Sequence, residues 1–470
     1  MRRSKWIFSR KSAAYEFVDG DFTNGERLES DAAGGCYKWP ERKREEKSGE
    51  SEGLDMVRLA DIPEYERNHL MSKLLPPMGA LPWVVNTKPL PQKRIAIVTT
   101  AGLNFREDRK FDFVDAGYRA LPRELATKDI LMTHTSVNYD RSGFQEDINV
   151  VFPIDRLKEL EASGAIGSVA SINYSFMGGG MLPDVYEDSA RDLAKLLKAD
   201  GVDAALVLPV CPNCSRTVCG LSYYLESEGI QTTGIALFRE IAESMKPPRI
   251  LWVSFPLGRP LGKPGDPDFQ SAVIETALSL LDEPEGPVLA DYPVDLPDAD
   301  LPPPACPVSF QRKSDDKSWY GRLKREVTAL GPWYELGLKR RGRTTVGISD
   351  SSLEEIVVGL TAWPDDASVD FPDPTWLKLA LEDLKAFYSE AITAQPGDYG
   401  AGYSDSVIFE DTVLGELIVH YVAHFEAQDP NHPFVRVIAS REQLKRSTGN
   451  WAIDREGDYV KAANPIADSD

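Results

Sequence analysis

The segment Ala204–Leu225, AALVLPVCPNCSRTVCGLSYYL, constrains the chain more than any other. It opens as an unbroken apolar run, Ala204 to Val210, with the length and character of a parallel strand buried on both faces. The spacing then changes, and Cys214, Val218, Leu221 and Leu225 recur along one face of a helix. Pro212 suits the first helical position, where no N–H is needed and φ is already set. Cys211 therefore falls where a strand ends and a helix begins. Free N–H groups and the positive end of the helix dipole favour an anion there, so a thiol at this point is expected to be acidic. Arg216 stands close enough in sequence to add to the effect. Three of the five cysteines lie within this stretch, and Cys214 and Cys219 can equally be read as small hydrophobes on the packed helix face. The spacing matches neither paired zinc knuckles nor the usual iron–sulfur patterns, so a metal requires His134 or a more distant ligand.

A chain of 470 residues can hold two or three domains. Its net charge of −21 argues against nucleic acid or an anionic membrane as the main partner. No apolar run reaches membrane-spanning length, and the basic start MRRSKWIFSRK lacks the apolar core of a secretory signal. The few cysteines form no disulfide framework, which points to a reducing, cytoplasmic setting.

Residues 1–54 read as a charge-dense flexible arm that includes Cys36. Strands are expected at Arg94–Thr100, Asp129–Thr133, Ile166–Ser171, Ala204–Val210, Ile230–Ala236 and Arg249–Ser254, with helices between them and a flexible loop over Asn173–Gly180. Such alternation predicts an α/β fold for residues 55–282, a doubly wound and mostly parallel sheet. Residues 283–307, rich in proline and carrying Cys306, read as a linker. Residues 308–470 form a C-terminal helical region, with a capping box expected at Ser351/Glu354 and a loose tail from Asn450. Ligands of open α/β sheets bind at the carboxyl ends of the strands. Those ends carry Thr99, Thr100, His134, Tyr174, Ser175, Cys211, Ser254 and Phe255.

His134 is a candidate general acid or thiolate partner, or simply a loop histidine. Asp140 and Asp147 are candidates to orient it or to bind a cationic substrate, although such carboxylates more often cap turns. Tyr174, Ser175 and Phe255 complete the expected substrate-binding set. His420 and His424 have a zinc-like spacing but lack the accompanying Glu and a third ligand. Gly178–Gly180 forms no dinucleotide fingerprint, and no Walker sequence is present.

Three stretches carry a resemblance: the cysteine segment, KPPRILWVSFPLGRPLG at Lys246–Gly262, and DINVVFPIDRL at Asp147–Leu157. From about Leu54 to Leu281 the chain resembles the selenoprotein B family, the substrate-specific subunits of glycine, sarcosine, betaine and D-proline reductases. The resemblance implies a selenocysteine-type position at Cys211 with Cys214 as the following thiol, and reductive cleavage of a carbon–heteroatom bond of a small molecule. Two departures stand out: cysteine replaces selenocysteine, and the C-terminal helical region is additional. The expected activity is a thiol-dependent reductase, with Cys211 as nucleophile, Cys214 as resolving thiol, and His134 and Arg216 in support. It would bind no cofactor and draw electrons from an external thioredoxin- or glutathione-like reductant. The alternative is a non-catalytic protein that captures a soft metal or metalloid with Cys211, Cys214 and Cys219.

Overall fold

The computed structural model describes residues 71–72, 74–296, 316–397, 399–429, 432, 434–440 and 443–444. The arm at 1–54 with Cys36, the tail from Asn450, and Cys306 lie outside the described residues. The described residues from Leu74 onward fall within one compact unit, so the α/β part and the C-terminal helices belong together.

The described residues form ten strands: β1 Arg94–Thr99, β2 Leu103–Phe105, β3 Tyr118–Pro122, β4 Ile130–Met132, β5 Ser168–Val169, β6 Ile172–Phe176, β7 Ala204–Leu208, β8 Gln231–Ala236, β9 Arg249–Trp252 and β10 Val288–Asp291. Eight make one sheet in the order β10-β9-β8-β7-β1-β6-β3, with β5 also beside β1. All pairings are parallel except β3 with β6, so the sheet is the mostly parallel α/β sheet expected. β2 and β4 form a separate antiparallel ribbon.

The helices of the α/β part are α1 Ser142–Glu146, α2 Ile154–Ser163, α3 Glu187–Ala199, α4 Pro212–Ser227, α5 Arg239–Met245 and α6 Pro267–Ser279. Every residue of β7 is buried because the sheet is covered on both faces. Ile95, Ile97, Leu206 and Leu208 meet Leu157 and Leu160 of α2 and Val273 and Ile274 of α6 in one core. On the other face Gly234 brings β8 close to Val218 of α4. Pro209 follows the last paired residue of β7, so its missing N–H costs the ladder nothing.

The C-terminal helices are α7 Trp319–Arg341, α8 Leu353–Asp365, α9 Pro374–Thr393, α10 Tyr403–Asp411, α11 Val413–Gln428 and α12 Val435–Ile438. They dock against α1: Ser389 Oγ donates to Gln145 Oε1 at 2.7 Å, and Arg343 Nη1 donates to the Phe144 carbonyl at 2.6 Å.

Several expectations shift. Asn173–Phe176, read as loop, belongs to β6. Within the proline-rich stretch read as linker, Val288–Asp291 pairs with β9, and residues 297–315 are not described. β4, which leads to His134, belongs to the ribbon and not to the main sheet. The capping box of α8 is Ser352 with Glu355, one residue later than read.

Candidate active site

The chain reaches β5 and β6 on one side of β1 and then crosses to β7 on the other. This reversal puts the topological switch point at the carboxyl ends of β1, β6 and β7, the position where such sheets place their ligands. Cys211 arrives there as the N-cap of α4, in extended conformation, and its Sγ accepts from Cys214 N at 3.3 Å. That bond satisfies one of the free N–H groups of the helix start. Cys214 Sγ then sits 2.8 Å from Cys211 Sγ and 3.3 Å from His134 Nε2. The three groups are all buried, and their ligand atoms lie within 4.8 Å of one another.

Ser136 N donates to His134 Nδ1 at 3.1 Å, which leaves the proton of the ring on Nε2, facing Cys214. Arg141 Nη2 donates to the carbonyls of His134 at 3.1 Å and Ser136 at 3.0 Å, holding this loop in place. The Tyr139 ring stands edge-on to His134 with centroids 5.2 Å apart. Gly178 and Gly179 supply the closest backbone approach. A Cβ on Gly178 would meet Thr100 Cβ at 2.7 Å and Cys214 Sγ at 3.1 Å, and one on Gly179 would meet His134 Cε1 at 2.8 Å.

These contacts divide the two thiols. Burial works against a Cys214 thiolate, but the hydrogen bond from Cys211 and then the field and hydrogen bond of His134 outweigh it and hold Cys214 well below the usual thiol range. Burial, followed by the hydrogen bond to Cys214 and its charge, pushes Cys211 well above that range. The helix-end argument places the acidic thiol at Cys211; the hydrogen bond from Cys211 and then the approach of His134, which sequence spacing could not reveal, favour the charge on Cys214 instead. Burial also pushes Cys219 up, and it takes no part in the cluster.

The other expected residues are occupied elsewhere. Asp140 accepts from Arg259 Nε at 2.7 Å and from Ser142 Oγ at 2.8 Å, so it is a buried ion-pair partner. Asp147 caps its turn through Asn149 N and holds Gln270 Nε2 at 2.8 Å. Ser175 Oγ accepts from Leu103 N at 2.7 Å, while the Tyr174 ring packs on Tyr118. Phe255 packs with Phe269 and Tyr292. Arg216 Nη2 donates to Asn213 Oδ1 at 2.8 Å. His420 and His424 pack among Trp319, Trp363 and Phe371. The residues missed are Ser136, Tyr139 and Arg141; Thr100 stands among the expected strand ends, and Gly178–Gly180 reads in the sequence only as a weak glycine cluster, although such glycines often mark close backbone approach.

The glycine/sarcosine/betaine reductase selenoprotein B family matches residues 42–209, ending just before Cys211. The D-proline reductase subunit gamma of Acetoanaerobium sticklandii is 32% identical over 217 residues, 46% of this chain and 89% of that protein. The chain belongs to this family. The glycine reductase complex component B subunit gamma of Carboxydothermus hydrogenoformans is 28% identical, over 52% of this chain and 58% of its own length. The sarcosine reductase complex component B subunit beta of Peptoclostridium acidaminophilum is 25% identical, over 50% of this chain and 55% of its own. The chain thus spans only a little over half the length of these last two family members. No solved structure matches the chain. Among the described residues no helix is long and apolar enough to cross a membrane.

Proposed function

We propose that the chain is a reductase component that cleaves a carbon–heteroatom bond with two thiols, Cys214 opening the reaction and Cys211 completing it. The observation that carries the reading is the position of Cys214 Sγ between Cys211 Sγ at 2.8 Å and His134 Nε2 at 3.3 Å. The Cys214 thiolate attacks the carbon, a C–S bond forms, and the leaving group departs with the electron pair of the broken bond. Cys211 then attacks that sulfur; the carbon takes up a proton, and the two cysteines end as a disulfide. The substrate gains two electrons and the dithiol loses two, which an external thiol reductant restores. His134 positions and stabilises the thiolate. Both thiols are fully buried, so turnover requires the site to open. The relatives are named as components of reductase complexes, which supports a partner protein in that step.

Phenacyl bromide, a small activated carbon–halogen compound, tests the order of events. Wild-type protein should release acetophenone and form the Cys211–Cys214 disulfide. Cys211→Ser should stop at a thioether on Cys214, and Cys214→Ser should form neither product. An adduct located on Cys211 would reverse the two roles.

A second reading, capture of a soft metal, gains support because His134 takes the third position that the sequence reading gave to Cys219. A tetrahedral metal with bonds of about 2.3 Å to sulfur would hold its two sulfurs about 3.8 Å apart. The separation here is 2.8 Å, which favours a shared proton between the thiols. Stoichiometric Zn²⁺ retained against a chelator, and lost in His134→Ala, would favour the metal reading.

A further inference from the structure

A cavity of about 40 Å³ lies between the loop that carries His134 and the C-terminal helices. Tyr139 and Arg141 line it on the α/β side, and Glu382, Lys385, Ala386 and Asp405 on the side of α9 and α10. At about 10–15 Å³ per water-sized position, the space holds about three waters. Its lining is buried apart from Arg141, Ala386 and Asp405, which are half-buried, so the cavity comes nearest to solvent at these three. Glu382 pairs with Arg141 and, at 2.5 Å, with Lys385. Two cations thus face two carboxylates, and the lining does not select by net charge. Neither His134 nor the two thiols line the cavity, but the Tyr139 ring belongs to both places. Its edge meets His134 with centroids 5.2 Å apart, Arg141 lies over its face at 5.2 Å, and its hydroxyl donates to Met132 Sδ, a weak acceptor, at 3.2 Å. The ring is a partition one side chain thick. The opposite wall of the thiol site is backbone and is pinned: Gly178 N donates to the Thr100 carbonyl at 3.0 Å, and the Gly178 carbonyl accepts from Thr217 Oγ1 at 3.0 Å.

We infer that Tyr139 is the gate of the thiol site: substrate enters through this cavity, and rotation of the ring admits it to the sulfurs and sets the size of what can reach them. Both thiols are fully buried, so a route to them must cross one of the walls around them. On the Tyr139 side one side chain has to turn, whereas on the glycine side hydrogen-bonded backbone would have to part. The cavity is small and its charges cancel, so the molecule that waits there is small, polar and without net charge. The inference rests on the reading of Cys211 and Cys214 as the reacting pair, but not on which of them opens the reaction, since the two sulfurs adjoin at 2.8 Å behind the same ring.

The test is alkylation of the full chain by two uncharged reagents, iodoacetamide and the bulkier N-benzyl iodoacetamide, with rates referred to free glutathione and the modified cysteine located by peptide mapping. In each reaction the sulfur bonds to carbon and iodide leaves with the electron pair. Wild type should discriminate against the bulky reagent at the thiol pair. Tyr139→Phe should keep that discrimination, and Tyr139→Ala should reduce it at least tenfold. Ala386→Leu, which fills the cavity from α9 and leaves ring and thiols in place, should slow both reagents at least tenfold. Cys219, buried on the same helix and outside the cluster, reports any general loosening, and its rate should stay as in wild type. No discrimination in wild type, unchanged discrimination in Tyr139→Ala, unchanged rates in Ala386→Leu, or a Cys219 rate that rises in step with the pair would each overturn the gate. If Tyr139→Ala does not fold, Ala386→Leu decides alone. An adduct on Cys211 in place of Cys214 would reverse the proposed order of the thiols and leave the gate standing.

Discussion

At the scale of single residues, the ionisation of Cys214 depends on a donor brought from far away in sequence. His134→Asn removes the Nε2–H that faces Cys214 Sγ at 3.3 Å. The pH at which thiolate absorbance appears should then rise by at least one unit, because burial alone opposes the charge. A profile unchanged from wild type would mean that Cys211 and the helix start suffice. Gly178→Ala should act similarly without removing a titratable group, since its Cβ would come within 3.1 Å of Cys214 Sγ and 2.7 Å of Thr100 Cβ. The cysteine pair and His134 were legible in the sequence as residues, and the strand-to-helix turn fixed where the pair would lie. Their partnership was not, because the ribbon β2–β4 that delivers His134 joins neighbours by antiparallel pairing outside the main sheet. Tyr174, Ser175 and Phe255 show the converse: a place near a strand's end does not set where a side chain points, and each has a packing or hydrogen-bond partner within the fold.

Among the elements, apolar runs and amphipathic spacing located β1, β7, β8 and most helices, since burial on both faces leaves a continuous signature. Short edge strands leave none. β10 is only partly buried and lies among prolines, and β3 is exposed or half-buried along all but one of its residues. α8 illustrates how a local motif can be displaced by one residue when two serines and two glutamates adjoin. Ser352 Oγ accepts from Glu355 N at 3.3 Å, and Glu355 Oε2 accepts from Ser352 N at 2.8 Å. Ser352→Ala should therefore cost about 1 kcal/mol in chemical denaturation, and Ser351→Ala distinctly less. A second element-scale effect concerns Glu326 of α7, which caps the start of α11 through Val413 N and accepts from Tyr388 Oη at 2.8 Å. Burial pushes it up to about 7 from an ordinary 4.5. The folded state then holds the proton more tightly than the unfolded chain, so stability falls as pH rises between those two values. Glu326→Gln should flatten the fall in Tm over that window; an identical pH dependence in both proteins would assign it to other groups.

For the whole molecule, the question is what the C-terminal helices do for the α/β part. Arg343 of the segment between α7 and α8 lies over the Phe144 ring at 4.5 Å and donates to its carbonyl, and Ser389 of α9 reaches Gln145. Phe144 and Gln145 are buried under this cover. Arg141 finds its carboxylate, Glu382, on α9, while its Nη2 donates to the carbonyls that hold the loop of His134. The helices thus complete both a core and a charge pair that the α/β part begins. A chain ended at residue 296 would leave Phe144 in water and Arg141 without Glu382, so it should aggregate or melt well below the full chain. If it stays soluble, the loop of His134 should loosen and the Cys214 thiolate should appear only at higher pH. Arg141→Lys in the full chain separates the two effects: it keeps a charge for Glu382 but cannot bridge the two carbonyls, so the pH profile should shift while the fold persists. A soluble truncated chain with an unaltered thiolate profile would make the helices an independent appendage, and Arg141 a residue that serves its ion pair with Glu382 alone.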